Sequence, residues 1–197
     1  MLGIFLDTET NGLNPFKHKT IEIAFEIVDL LTGRCLESFE AVVATTQEEW
    51  ALSDKESLKI NGSTWDRVFK GQSSIAVGLA IQHLFSKHKI QRGKAIFLCQ
   101  NPSFDRVFFS QLVDPDLQEA LSWPYHWLDL ASMYWALAMR KATPHPEKLP
   151  WDTGVSKDNI AAVYSLPKET QPHQAMNGVK HLLLCYQSVV GFPNQTC

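Results

Sequence analysis

The segment Gly3-Ile4-Phe5-Leu6-Asp7-Thr8-Glu9-Thr10-Asn11-Gly12-Leu13 passes from an unbroken apolar run straight into two carboxylates and a turn. A short continuous apolar run such as Gly3–Leu6 marks a strand buried at the centre of a sheet. Asn11-Gly12 and Asn14-Pro15 are the turn signals that end it. Carboxylates at i and i+2 on a strand share one face, so Asp7 and Glu9 project to the same spot. Buried so close, they repel and raise each other's pKa unless a cation lies between them. Hard divalent ions such as Mg2+ or Mn2+ take oxygen ligands of this kind. On its own, Asp-x-Glu is more often a polar strand end beside a turn.

Working outward, Thr20 to Asp29 alternates, with Ile21, Ile23, Phe25 and Ile27 on one face and Glu22, Ala24, Glu26 and Val28 on the other. That reads as a half-buried strand. Thr32-Gly33 is a hairpin tip leading to a third strand, Cys35 to Val43, and completes an antiparallel meander. Helical spacing follows, over Ser53–Leu58 and over Ser73–Lys87. A fourth strand is expected at Ala95–Cys99, a helix at Phe104–Leu112, a fifth strand at Trp127–Leu130 and a helix at Ala131–Met139. Thr143–Trp151, with Pro144, Pro146 and Pro150, reads as a loop. Ser156 suits the N-cap of a helix over Asp158–Tyr164, and Pro172 introduces a last helix, His173–Val189. The order implies an α/β sandwich whose mixed sheet joins an antiparallel edge to parallel strands reached by helical crossovers.

With 197 residues, 45% hydrophobic and 20% charged, the chain has the make-up of one globular domain spanning 1–197. Its longest apolar runs, Ile75–Leu84 and His181–Phe192, fall short of the roughly 20 residues a membrane helix needs. A net charge of −3 gives no broad basic surface, so a nucleic-acid role requires local basic groups or bound metal. Candidate basic helpers are Lys17, Lys19, Arg106 and Lys180. Cys35, Cys99, Cys185 and Cys197 form no C-x-x-C pair and read as reduced thiols of a cytoplasmic protein. The first residues lack a basic n-region and read as a strand, not a signal peptide.

Two further segments bear on chemistry. Asn101-Pro102-Ser103-Phe104-Asp105 leaves the fourth strand and carries Asp105 into the first turn of a helix. His173-Gln174-Ala175-Met176-Asn177-Gly178 opens the last helix. Each alone is unremarkable, since a first-turn aspartate suits the helix dipole.

Together with the first segment, they resemble the motifs of the DEDDh subfamily of 3′–5′ exonucleases, which have a ribonuclease H-like fold and include proofreading subunits and ribonuclease T-like enzymes. Asp7, Glu9, Thr10, Gly12 and Leu13 match the first motif, Asn101, Phe104 and Asp105 the second, and His173 and Ala175 the third. Ile60-Asn61-Gly62-Ser63 resembles a turn of the family, and the similarity spans about residues 1–190. It fails where the family has its fourth carboxylate, for here stands Gly178. A neighbour does not obviously substitute: Asn177 is about 100° away around the helix. His181, one turn on, is a weak candidate that reads rather as a solvated surface residue.

The resemblance implies a three-layer sandwich with a five-stranded sheet, strands 1–3 antiparallel and 1, 4 and 5 parallel. It implies hydrolysis of the terminal phosphodiester of single-stranded DNA or RNA 3′ ends to nucleoside 5′-monophosphates, with Mg2+ or Mn2+, two per site in the family. Asp7, Glu9 and Asp105 would hold the metal and His173 would take the proton from the attacking water. Thr10, Gly12, Leu13, Asn101 and Phe104 would contact the nucleic acid, with Phe104 equally readable as core. A polymerase subunit or a second copy of the chain are the protein partners it suggests. Without a carboxylate at 178, activity is expected to be strongly reduced; the alternative is a non-catalytic protein that binds 3′ ends or a polymerase.

Overall fold

A computed structural model describes residues 1–141 and 149–194. Five strands, β1 (Leu2–Thr10), β2 (Thr20–Asp29), β3 (Cys35–Val42), β4 (Ala95–Cys99) and β5 (Trp127–Asp129), form one sheet in the order β3-β2-β1-β4-β5. β1 is antiparallel to β2, which is antiparallel to β3, whereas β1, β4 and β5 run parallel. This is the expected topology. The central place of β1 explains why its first half is apolar on both faces.

Among the described residues the helices are α1 (Gln47–Ala51), α2 (Lys55–Asn61), α3 (Trp65–Phe69), α4 (Ser74–Lys87), α5 (Pro102–Phe109), α6 (Pro115–Ala120), α7 (Leu130–Lys141), α8 (Pro150–Thr153), α9 (Lys157–Val163) and α10 (Ala175–Val189). The short α1 and α6 have no clear apolar stripe in the sequence, and α3 has only Trp65, Val68 and Phe69. What starts them is capping: the Thr46, Thr64 and Asp114 side chains each accept from a first-turn amide. The expected loop at Thr143–Trp151 lies partly outside the described residues, as does Cys197, and its end is the α8 turn.

Two apolar layers clamp the sheet. On one side Ile4, Leu6, Ile23, Phe25 and Phe97 pack with Val77, Ile81 and Phe85 of α4 and with Phe109. On the other, Phe5, Ala24, Val28 and Leu98 pack with α7, α9 and α10. β2 is therefore buried on both faces, contrary to the half-buried expectation. Its Glu22 is covered too, and Arg67 Nη2 reaches Glu22 Oε2 at 2.7 Å. The last helix begins at Ala175, two residues later than the sequence suggests. Gln174 holds the extended N-cap conformation, so His173 stands just before the helix.

Candidate active site

β1 sets the geometry by alternation. Phe5 meets Tyr186 of α10 edge-to-face at 5.1 Å between ring centroids. Asp7 and Glu9, two and four residues on, therefore emerge on the α10 side at the C-terminal end of the central strand. Thr8 points the other way, toward α5. Its backbone N–H and hydroxyl both donate to Asp105 Oδ1, at 3.1 and 2.9 Å. This pair ties the start of α5 to β1 and places Asp105 next to the β1 carboxylates.

The opposite wall is α10. A β-carbon added at Gly178 would lie 2.2 Å from Asp7 Oδ2 and 2.5 Å from its Cγ. The Asp7 carboxylate thus fills the space that any side chain at 178 would need. Gly178 is required by this close approach, which supplies the structural reason that the sequence alone does not show.

A lysine completes the centre. Lys157, the first residue of α9, donates from Nζ to Asp7 Oδ1 at 3.1 Å and to the Gly178 carbonyl at 3.4 Å. The same ammonium is 3.0 Å from Glu169 Oε2. Glu169, in the segment between α9 and α10, is 2% exposed at its side chain, against 12% for Lys157 and 15% for Asp7. His173 Nδ1 lies 3.1 Å from Glu169 Oε1, and its Nε2 faces the Gln171 amide nitrogen at 2.6 Å. His181 is buried, not solvated as expected: Nε2 faces the Pro167 carbonyl at 3.0 Å and Nδ1 is 3.6 Å from Glu169 Oε2.

The electrostatics follow from burial and from one ammonium serving several acids. Burial, with the Asp7 charge beside it, pushes Glu9 and Asp105 each up to about 8. Burial also raises Asp7, against the pull of Lys157. Burial works against Lys157 as well, but the Asp7 and Glu169 charges outweigh it and hold the ammonium firmly protonated. Glu169 is held at about 2, because His181 and Lys157 overcome its burial.

The other residues expected to contact nucleic acid have the following surroundings. The Thr10 hydroxyl donates to the Gly12 carbonyl at 2.8 Å, and the Asn61 amide to the Thr10 carbonyl at 3.0 Å. Gly12 is pressed against the His18 ring, 2.3 Å from where a β-carbon would lie. Leu13 is 74% exposed, and Asn101 is exposed with its Oδ1 accepting from the Ser103 hydroxyl at 2.6 Å. Phe104 is half-buried against Phe108, with ring centroids 4.7 Å apart. Of the basic helpers, Lys19 pairs with Glu49 at 3.3 Å, and Arg106 and Lys180 are exposed.

Do these residues fit a pair of divalent ions? Asp7 has one oxygen on the Lys157 ammonium and the other against the Gly178 backbone. Asp105 Oδ1 is taken by two donors from Thr8, and position 178 offers no oxygen from a side chain. Among the described residues, no group of three or more His, Cys, Asp or Glu is disposed to hold a metal ion. The arrangement does not fit a two-ion centre.

Lys157 and Glu169 escaped the sequence reading. The available signal was electrostatic: a lysine at the first position of a helix sits against the positive end of the dipole, where an acid is favoured. Such a residue calls for a nearby carboxylate.

The sequence profile of the exonuclease family RNase_T matches residues 4–183. No curated protein sequence matches. Among solved structures, the cell-death related nuclease CRN-4 superposes with a TM-score of 0.72 at 16% identity, over 94% of this chain and 62% of that one. Exonuclease I of E. coli, in complex with a dA13 oligonucleotide, gives 0.70 at 18% identity over 96% of this chain and 41% of that one. The nuclease domain of 3′hExo, a DEDDh family member bound to rAMP, gives 0.70 at 14% identity over 93% and 88%. This chain thus spans less than two thirds of the first two.

Proposed function

The chain belongs to the exonuclease family, and from that premise we propose that it engages the 3′ ends of single-stranded nucleic acid beside Asp7, with 3′–5′ hydrolysis strongly reduced. One observation carries this reading: Asp7 faces the bare backbone of Gly178 on one side and the Lys157 ammonium on the other. The exonuclease I structures with single-stranded oligonucleotides support the substrate class.

This chain's residues have identifiable tasks in recognition. Thr10, Gly12 and Leu13 offer a loop held by internal hydrogen bonds, with the exposed Leu13 side chain as an apolar surface for a terminal base. The exposed Asn101 and the half-buried Phe104 would extend that contact. His173, with Nδ1 turned to Glu169, is placed to meet a phosphate oxygen or a water only when Gln171 yields Nε2.

Fluorescence anisotropy in EDTA with a labelled linear single strand, competed by an unlabelled circular one, tests end recognition. Linear strands should compete far better; equal competition by circles overturns the reading. A second reading, retained 3′–5′ exonuclease activity with divalent metal, is favoured by Glu9 and Asp105, which burial and then the neighbouring Asp7 charge push up to about 8 and which an added cation would relieve. Steady release of nucleoside 5′-monophosphates in Mg2+ or Mn2+ would establish it.

A further inference from the structure

We propose that the Lys157 ammonium is the resident cation of this centre, and that Lys157 and Gly178 form one coupled unit that excludes divalent metal. Three observations on separate elements converge on it. The ammonium bridges the two acids nearest the α10 wall, Asp7 at 3.1 Å and Glu169 at 3.0 Å. It reaches the Gly178 carbonyl at 3.4 Å, so the backbone there supplies an oxygen ligand in the absence of a side chain. And the Asp7 carboxylate occupies the volume of a residue-178 side chain, with only 2.2 Å between Oδ2 and the β-carbon position.

The physical logic is exchange of one cation for another. Clustered buried carboxylates need a positive charge among them. A lysine supplies it permanently, with three donors and no dependence on metal supply. Asp7 lies against Gly178, which tolerates the approach because it has no Cβ. A carboxylate restored at 178 alone meets Asp7 head-on while the ammonium still occupies the Asp7 and Glu169 oxygens. Removing the ammonium alone frees oxygens but leaves one wall without a ligand. Only the paired change both vacates the centre and completes it. The inference concerns cation occupancy and is independent of what the site binds.

Calorimetric titration with MnCl2, without nucleic acid, reads occupancy directly in the unaltered chain, Lys157→Met, Gly178→Asp and the double variant. Methionine preserves the length and apolar stem of the lysine. The unaltered chain and Gly178→Asp should bind with Kd weaker than about 1 mM, and the double variant at least about ten-fold tighter than either. Binding by the unaltered chain at micromolar Kd overturns the proposal, as does an equal gain in Gly178→Asp alone or no gain in a folded double variant. Should the double variant fail to fold, the melting temperature of the unaltered chain in EDTA and in millimolar MnCl2 decides. An unchanged Tm supports the ammonium as resident cation, and a rise of several degrees refutes it.

Discussion

Lys157 Nζ and Asp7 Oδ1 lie 3.1 Å apart although 150 positions separate them in the chain. The contact fastens the start of α9 to the end of the central strand. Lys157→Met removes the cation and leaves Asp7 and Glu169 as uncompensated acids. Breaking one side of such a pair is expected to cost roughly 3 kcal/mol, because the loss includes the penalty of the stranded charges. Urea unfolding of the variant measures it; a cost below about 0.5 kcal/mol would mean that the pair behaves as an exposed one.

Gly178→Ala isolates the steric part of the same relationship. Its methyl group meets Asp7 Oδ2 at 2.2 Å unless the carboxylate withdraws. A destabilisation of about 1–3 kcal/mol is expected, the usual range for overpacking. Gly178→Asp adds a second negative charge against Asp7 and should lose more. Thermal melts of the two variants side by side check the order, and nuclease rates for Gly178→Asp are expected to stay at the level of the unaltered chain.

Most of the frame was legible in the sequence because β1 announces itself. The run Gly3–Leu6 needs both faces covered, and the carboxylates that follow inherit their direction from Phe5. The strand order then follows from turn and crossover signals. β2 misled because alternation of Ile with Glu and Ala looks one-sided, while Ala24 and Val28 in fact receive α10 and Glu22 is covered with Arg67 as its partner. Asp7, Glu9, Asp105 and His173 do come to one end of the sheet. Lys157 and Glu169 stayed hidden because their pairing depends on how the segment between α9 and α10 folds back, which no local spacing encodes. His181 reads as polar and exposed by type, yet it is buried beside Glu169.

Asp105 offers a clean separation of charge from hydrogen bonding. Held at about 8, it is largely protonated near neutrality, and one oxygen accepts from both the Thr8 N–H and its hydroxyl. Asparagine retains that acceptor without a charge, so Asp105→Asn should change stability by less than about 1 kcal/mol. Asp105→Ala strands the buried Thr8 donors and should cost about 2–3 kcal/mol. Equal losses in denaturant midpoint would contradict this account.

Leu13 is the reverse case, a residue with little to do in the fold. At 74% exposure its removal should leave stability within about 0.5 kcal/mol. If its side chain covers a terminal base, Leu13→Ala should weaken 3′-end binding by roughly 1 kcal/mol, about five-fold in Kd. Anisotropy titrations with a short oligonucleotide, paired with thermal melts, compare the two effects.

The acid and base limbs of the stability profile should come from opposite members of the same cluster. Glu169, held at about 2 against an ordinary value of 4.5, favours the folded state fully above pH 4.5 and loses that contribution as pH falls toward 2. His181 is raised from 6.5 to about 10, by the Cys185 sulfur and then the Glu169 carboxylate, so its contribution is complete below pH 6.5 and drains away as pH rises toward 10. Glu9 and Asp105, raised to about 8, act in the same direction as His181, because ionising either in the folded state is disfavoured. Stability should therefore peak at about pH 4–5 and decline on both sides, the alkaline limb beginning with Glu9 and Asp105 and steepening above pH 6.5 where His181 joins them. Chemical denaturation at fixed temperature across pH 3–10 measures the curve, and a maximum at pH 8 or above would contradict the raised values of His181, Glu9 and Asp105 together. Replacing His181 with glutamine, which keeps a donor for the Pro167 carbonyl, should flatten the limb above pH 6.5 and also shrink the acid limb, because His181 helps to hold Glu169 at about 2.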